Sequence, residues 1–183
     1  MAIEQRFFAR KWLFVGAAVA ALGQTAPVEA GKRIVFAEGR LSLELADGWS
    51  ESDLNAKDDF PGFATQDQRS SLYLREIGSD AAGSMEDLLT GTVANYETVF
   101  RVSKVSETKT GQVDGPVKKW PAIFATLEAV VTKGTEEFPM RFYLLIFDTG
   151  ENITLLQAST TMPVREAREQ QIYEMIRSLV AKP

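Results

Sequence analysis

Three groups of residues in this 183-residue chain have types and spacing that chemistry can use: paired carboxylates, short runs of oxygen donors or glycines, and four aromatics beside turns. The carboxylates are Asp58-Asp59, Glu136-Glu137 and Asp47. Glycosidic cleavage needs two acids facing each other across a sugar. Neighbours in sequence point apart, and each of these sits in a polar turn or loop pattern where charge is simply solvated. Asp148-Thr149-Gly150-Glu151-Asn152 offers oxygens around a glycine but lacks the alternating acidic pattern and the distal bidentate Glu of a calcium loop. It reads as a hairpin turn. Gly111-Gln112-Val113-Asp114-Gly115 has no Lys-Ser/Thr after it and opens no helix, so it is no phosphate cradle.

The chain contains no His and no Cys. That removes the Ser-His-Asp triad, imidazole bases, ordinary zinc and copper sites, thiol nucleophiles and redox pairs. The expectation is a protein with no catalytic residues, no metal site and no cofactor. The aromatics Trp49, Phe60, Phe63 and Trp120 remain as candidates for contact with a partner, since a ring at a loop edge can anchor another molecule. The commoner role of such a ring is to plug the end of a core.

The elements that would hold these residues can be read from periodicity. Arg33–Ala37 and Arg40–Leu45 read as strands around Glu38-Gly39, with Leu41, Leu43 and Leu45 on one face. Asp47-Gly48-Trp49 is a tight exit, and Ser50–Asp59 reads as a loop. Phe60–Thr65 and Ser71–Ile77 are the next strands. Ser84-Met85-Glu86-Asp87 resembles a capping box, and Leu88, Leu89, Val93, Tyr96, Val99 and Phe100 follow at helical spacing, giving a helix over 84–100. A meander follows. Arg101–Thr110 is one moderately polar strand, and Ala122–Thr132 alternates cleanly. Phe138–Phe147 is apolar enough for a central strand covered on both faces, and Ile153–Thr160 returns. Pro163 opens a last helix whose stripe is Val164, Ala167, Ile172, Met175, Ile176, Leu179 and Val180. The layout is α+β: an antiparallel sheet with two main packing helices.

Residues 1–30 have the pattern of an export signal. Arg6, Arg10 and Lys11 precede the apolar run Trp12–Gly23, and Val28-Glu29-Ala30 offers small side chains at the −3 and −1 positions of a cleavage site. Twelve apolar residues fall short of the roughly 20 that span a bilayer, so no stable membrane span is expected after cleavage. The mature chain is then a single domain over 31–183. The net charge of −5 argues against nucleic acid and anionic membrane as partners. Lys118-Lys119, beside Trp120, reads as a solvated strand end.

The stretch Gly39-Arg40-Leu41-Ser42-Leu43-Glu44-Leu45-Ala46-Asp47-Gly48-Trp49 resembles the strand and Leu-Pro-x-Gly-Trp opening of DcrB/PsbP-like proteins, with Ala46 where Pro is usual. The strands through Phe142–Phe147 and Ile153–Thr160 are similar to that family's central meander, and Met175-Ile176-Arg177-Ser178-Leu179 to its close. The resemblance covers about residues 33–181 and implies an αβα sandwich: a central antiparallel sheet flanked by helices, with an N-terminal hairpin. Members are mostly accessory or binding proteins and share no catalytic residue that carries over. The resulting expectation is an exported, periplasmic, non-enzymatic accessory protein of the bacterial cell envelope that binds another envelope protein. A periplasmic carrier of a small molecule or lipid is the alternative, with a carboxylate-dependent hydrolase third.

Overall fold

The computed structural model describes residues 32–52 and 62–182. The leader pattern, Asp58, Asp59, Phe60 and most of the loop expected after Ser50 lie outside them. Within them eleven strands and three α-helices follow in order, with a 3-10 turn (Ala37–Gly39) between the first two strands. They are β1 (Lys32–Phe36), β2 (Leu41–Leu45), β3 (Trp49–Ser52), β4 (Gly62–Thr65), β5 (Ser70–Gly78), α1 (Ser79–Ala82), α2 (Met85–Val99), β6 (Arg101–Val105), β7 (Lys109–Asp114), β8 (Lys119–Lys133), β9 (Glu136–Asp148), β10 (Asn152–Thr161), α3 (Glu166–Arg177) and β11 (Val180–Ala181).

All strands join one sheet in the order β1-β2-β11-β7-β8-β9-β10-β5-β4-β3, with β6 also on β8. Every pairing is antiparallel except β11 with β7. The apolar strand Phe142–Phe147 lies at the centre as expected. Phe142, Leu144 and Ile146 pack towards α2, while Tyr143, Leu145 and Phe147 pack on the opposite face. The predicted face of β8 (Ile123, Ala125, Leu127, Ala129, Val131) joins the α2 side entire. Helix α2 starts on the expected capping box: the Asp87 backbone N–H donates to Ser84 Oγ and the Ser84 N–H to Asp87 Oδ2.

The sheet curls strongly, and connectivity requires it. β2 and β3 stand eight places apart in strand order, which is roughly 38 Å across a flat sheet. Yet only Ala46–Gly48 separates them, a link that reaches at most about 14 Å between Leu45 and Trp49. The two ends must therefore come together around a common interior. Leu41, Leu43 and Leu45 from one end, Trp49, Phe63, Leu72 and Leu74 from the other, and Ile172 and Met175 from α3 share that core. Arg40, just before β2, reaches across to Glu76 on β5 with a two-pronged ion pair of 2.9 and 2.7 Å.

Four expectations are corrected. Arg101–Thr110 is two strands rather than one, because the chain breaks after Val105 and β7 takes a separate stretch of β8. Ser50–Ser52 belongs to β3 instead of a loop. Pro163 precedes α3 without opening it, lying after a cis Met162–Pro163 bond with Arg165 as the N-cap. Val180 leaves the helix: with Ala181 it forms β11, which slots between β2 and β7. Among the described residues no helix is long and apolar enough to cross a membrane.

Candidate functional site

The aromatics singled out by sequence lie inside. Trp49 is 0% exposed, Phe63 1% and Trp120 4%, so none of the three presents a ring to a partner in this conformation. Their position beside turns is real, but each ring points into the core that the curled sheet encloses. Trp49 has the Arg168 guanidinium over its ring at 5.5 Å. Trp120 Nε1 donates to the Ala181 carbonyl at 2.8 Å, while Lys118 sits 4.1 Å above its ring. Phe60 lies outside the described residues.

The carboxylates do not converge. Asp47 is exposed in the β2–β3 turn, and Glu136 and Glu137 are exposed at the β8–β9 hairpin, where Arg101 donates to Glu137 at 3.0 Å. Asp148 closes its hairpin by accepting from the Gly150 N–H at 2.6 Å, with Gly150 at φ +90°, a backbone state that favours glycine. Among the described residues no three acids gather as a metal-holding group.

A denser cluster forms where sequence reasoning named nothing. Glu128 on β8 and Arg141 on β9 are cross-strand partners. Tyr143 lies two residues on from Arg141 and so on the same face, and α3 lowers Glu169 and Tyr173 onto them. Arg141 Nη2 donates to Glu128 Oε1 at 2.7 Å and Nη1 to Glu169 Oε1 at 3.1 Å; the Tyr143 hydroxyl donates to the same Glu169 oxygen at 3.0 Å. Tyr173 meets the Tyr143 ring edge-on at 5.6 Å and Phe124 at 6.0 Å. The group is half-buried at the rim of the core.

Burial, then the hydrogen bond to Glu169 and its charge, pushes the Tyr143 phenol well above its usual 10, while burial and the charge of Glu169 raise Tyr173. Burial alone would lower Arg141. Its hydrogen bonds to Glu128 and Glu169 and the neighbouring charge of Glu128 together outweigh that and hold the guanidinium above its ordinary value. The phenols and the guanidinium therefore keep their protons throughout the neutral range, and both carboxylates already accept from Arg141. Perturbed groups in one place are a pointer to function, though structural ion networks give the same signature. Here the bonds join β8, β9 and α3 to one another, which pins the helix against the sheet.

Other polar groups are also satisfied in pairs. Across β5 and β10, Ser70 meets Thr160 and Ser71 meets Ser159, each at 2.8 Å, and Tyr73 donates to Gln157 at 2.6 Å. A shallow groove between the β2–β3 turn and α3 is lined by Glu44, Asp47, Gln171 and Glu174 with Met175. Leu45 and Ala46 complete its lining, so polar and apolar groups alternate around it.

No family model matches the sequence. No curated protein matches it either. Solved structures do. The Ran-binding protein Mog1p of Saccharomyces cerevisiae superposes with a TM-score of 0.53 at 9% identity, over 85% of this chain and 95% of its own. Cyanobacterial PsbP (CyanoP) from Synechocystis gives 0.54 at 12%, over 90% and 99%. LpqN of Mycobacterium tuberculosis, described as involved in cell envelope biogenesis, gives 0.52 at 13%, over 87% and 91%. Against a protein from Bacteroides thetaiotaomicron (TM-score 0.54, 12% identity), the chain spans only 50% of that protein's length. At such low identity these likenesses establish architecture alone: the chain has the PsbP/Mog1-like α+β fold.

Proposed function

We propose that this is a non-enzymatic accessory protein of the bacterial cell envelope, exported after removal of residues 1–30 and acting as one domain through contact with another envelope protein. The observation that carries the reading is the closed state of its densest ionisable cluster. Arg141, Glu128, Glu169 and Tyr143 bond to one another and hold α3 against β8 and β9. That arrangement supports a scaffold that presents surface, with no proton poised for transfer near neutral pH. The leader pattern supports export. Mog1p, described as Ran-binding, and LpqN, described in envelope biogenesis, show that this architecture serves such roles elsewhere, although fold does not fix function. The family's αβα sandwich accords with helix α2 on one face of the sheet and α3 on the other.

Cell fractionation with N-terminal mass determination tests the reading, combined with in-cell crosslinking. The expected result is a mature chain beginning at Gly31 in the periplasmic fraction and crosslinked to a different protein. Retention of the precursor in the cytoplasm, or substrate turnover by the purified protein at an enzymatic rate, would overturn it. Native mass spectrometry addresses the carrier alternative, and an unliganded mass is the expected outcome.

A further inference from the structure

Among the described residues, three of the four exposed large apolar side chains fall between Val99 and Lys119: Val99 at 45%, Val105 at 43% and Val117 at 95%. The same stretch carries five basic residues (Arg101, Lys104, Lys109, Lys118, Lys119) against two acidic ones (Glu107, Asp114), in a chain of net charge −5; Arg101 is already paired with Glu137 and Lys119 with Asp114, so Lys104 and Lys109 carry the charge along the edge itself. The third coincidence is topological. β9 occupies one edge of β8, so β6 and β7 both pair with the other: β6 beside Leu127–Val130 and β7 beside Lys119–Phe124. Their outer edges therefore face the same way. β11 covers that edge only at Asp114, and from Arg101 to Gln112 no strand among the described residues pairs with it.

The hairpin tip at the end of this edge is tightly built. A methyl group on Gly115 would meet the Lys118 carbonyl at 2.5 Å, Trp120 Nε1 at 2.6 Å and the Ala181 carbonyl at 2.9 Å. Val117 is thus displayed by a packed turn.

An open strand edge accepts whatever matches it, and charge decides what matches. A second copy would set lysine against lysine, and the bulge between Val102 and Lys104 bends β6 away from regular self-pairing. An anionic bilayer would meet a net-negative protein with a single valine tip, short of the two signals that stable attachment takes. An acidic extended segment fits all three features. We propose that the β6–β7 edge and its tip dock an acidic, extended segment of a partner protein, which adds its backbone to the edge, sets carboxylates against Lys104 and Lys109, and lays an apolar side chain by Val105. The inference rests on the accessory reading above and says where the contact lies and what chemistry it selects.

The probes are a peptide alternating Glu and Val, its counterpart alternating Lys and Val, and phosphatidylglycerol vesicles. Backbone amide NMR reads the response of the mature protein. The acidic peptide is expected to shift and protect amides within 101–113, with salt weakening it, and the lysine peptide to leave them unchanged. Lys104→Glu with Lys109→Glu, both exposed, should weaken the acidic peptide at least about fivefold while leaving the spectrum elsewhere intact. Equal response to both peptides, shifts elsewhere, self-association through this edge, or vesicle binding that depends on these lysines would each overturn the proposal.

A photocrosslinking residue placed in cells at 105 and 110, and at 44 and 151 as controls, separates the two claims. Adducts from 105 or 110 to a protein with an acidic segment support docking here. Adducts from 44 or 151 alone overturn this inference and leave the accessory reading standing. The absence of adducts from all four positions overturns both.

Discussion

At the scale of single residues, two positions carry consequences that can be measured. Gly115 sits where any Cβ would collide with two carbonyls and with the indole nitrogen of Trp120. Gly115→Ala should cost about 1–3 kcal/mol, because either the turn shifts or the Trp120–Ala181 hydrogen bond breaks. A lower denaturation midpoint with an unchanged slope checks it. Tyr143 predicts a pH dependence. Its phenol is held above the ordinary 10 in the folded protein by burial and by Glu169, whereas the unfolded phenol ionises near 10. Stability is therefore fully retained below pH 10 and falls as pH rises from there towards the folded value. Tyr96, on the buried face of α2, adds to the same slope. Tyr143→Phe should flatten the alkaline loss of stability measured by denaturation between pH 9 and 11. These residues also mark the limit of sequence reading. Position beside a turn identifies Trp49, Phe63 and Trp120 but does not tell which way a ring points, and the direction was set by sheet curl. The signal for the Arg141 cluster was present as Glu128 and Arg141, two charges interrupting apolar strands. Tyr143 and Glu169 come to them only through the fold.

At the scale of elements, local patterns were the readable part. Alternation in β8, the apolar run of β9 and the capping box of α2 each express a rule that acts over a few residues, and each appears where expected. Ser84→Ala should lower stability by about 1 kcal/mol, seen as a shifted thermal midpoint, since it removes the acceptor for the Asp87 N–H. What the pattern could not show is partnership. Arg101–Thr110 looks like one strand in hydrophobicity, but β6 and β7 divide because they pair with different stretches of β8. Val180 continues the helical stripe of α3, yet a gap between β2 and β7 captures it as a strand. Val99 sits on the helical stripe and still emerges exposed, at the last residue of α2.

At the scale of the whole molecule, the three-residue link between β2 and β3 forces the sheet to close on itself, and Arg40 with Glu76 ties that closure. A double-mutant cycle with Arg40→Ala and Glu76→Gln should give a coupling of about 1–2 kcal/mol, reduced from that of a fully buried pair because Arg40 is partly solvated. Additive losses would mean that the tie contributes nothing. Closure depends on distant strands finding each other, which is why no window of sequence reveals it. One feature of this arrangement reaches beyond stability. Among the described residues β11 alone hydrogen-bonds β1–β2 to the rest of the sheet, and it joins from near residue 180. A ribosome translating this chain supplies the ladder partner of β2's outer edge only near residue 180, so the first hairpin can rest on early core residues but finds its neighbouring strand almost last.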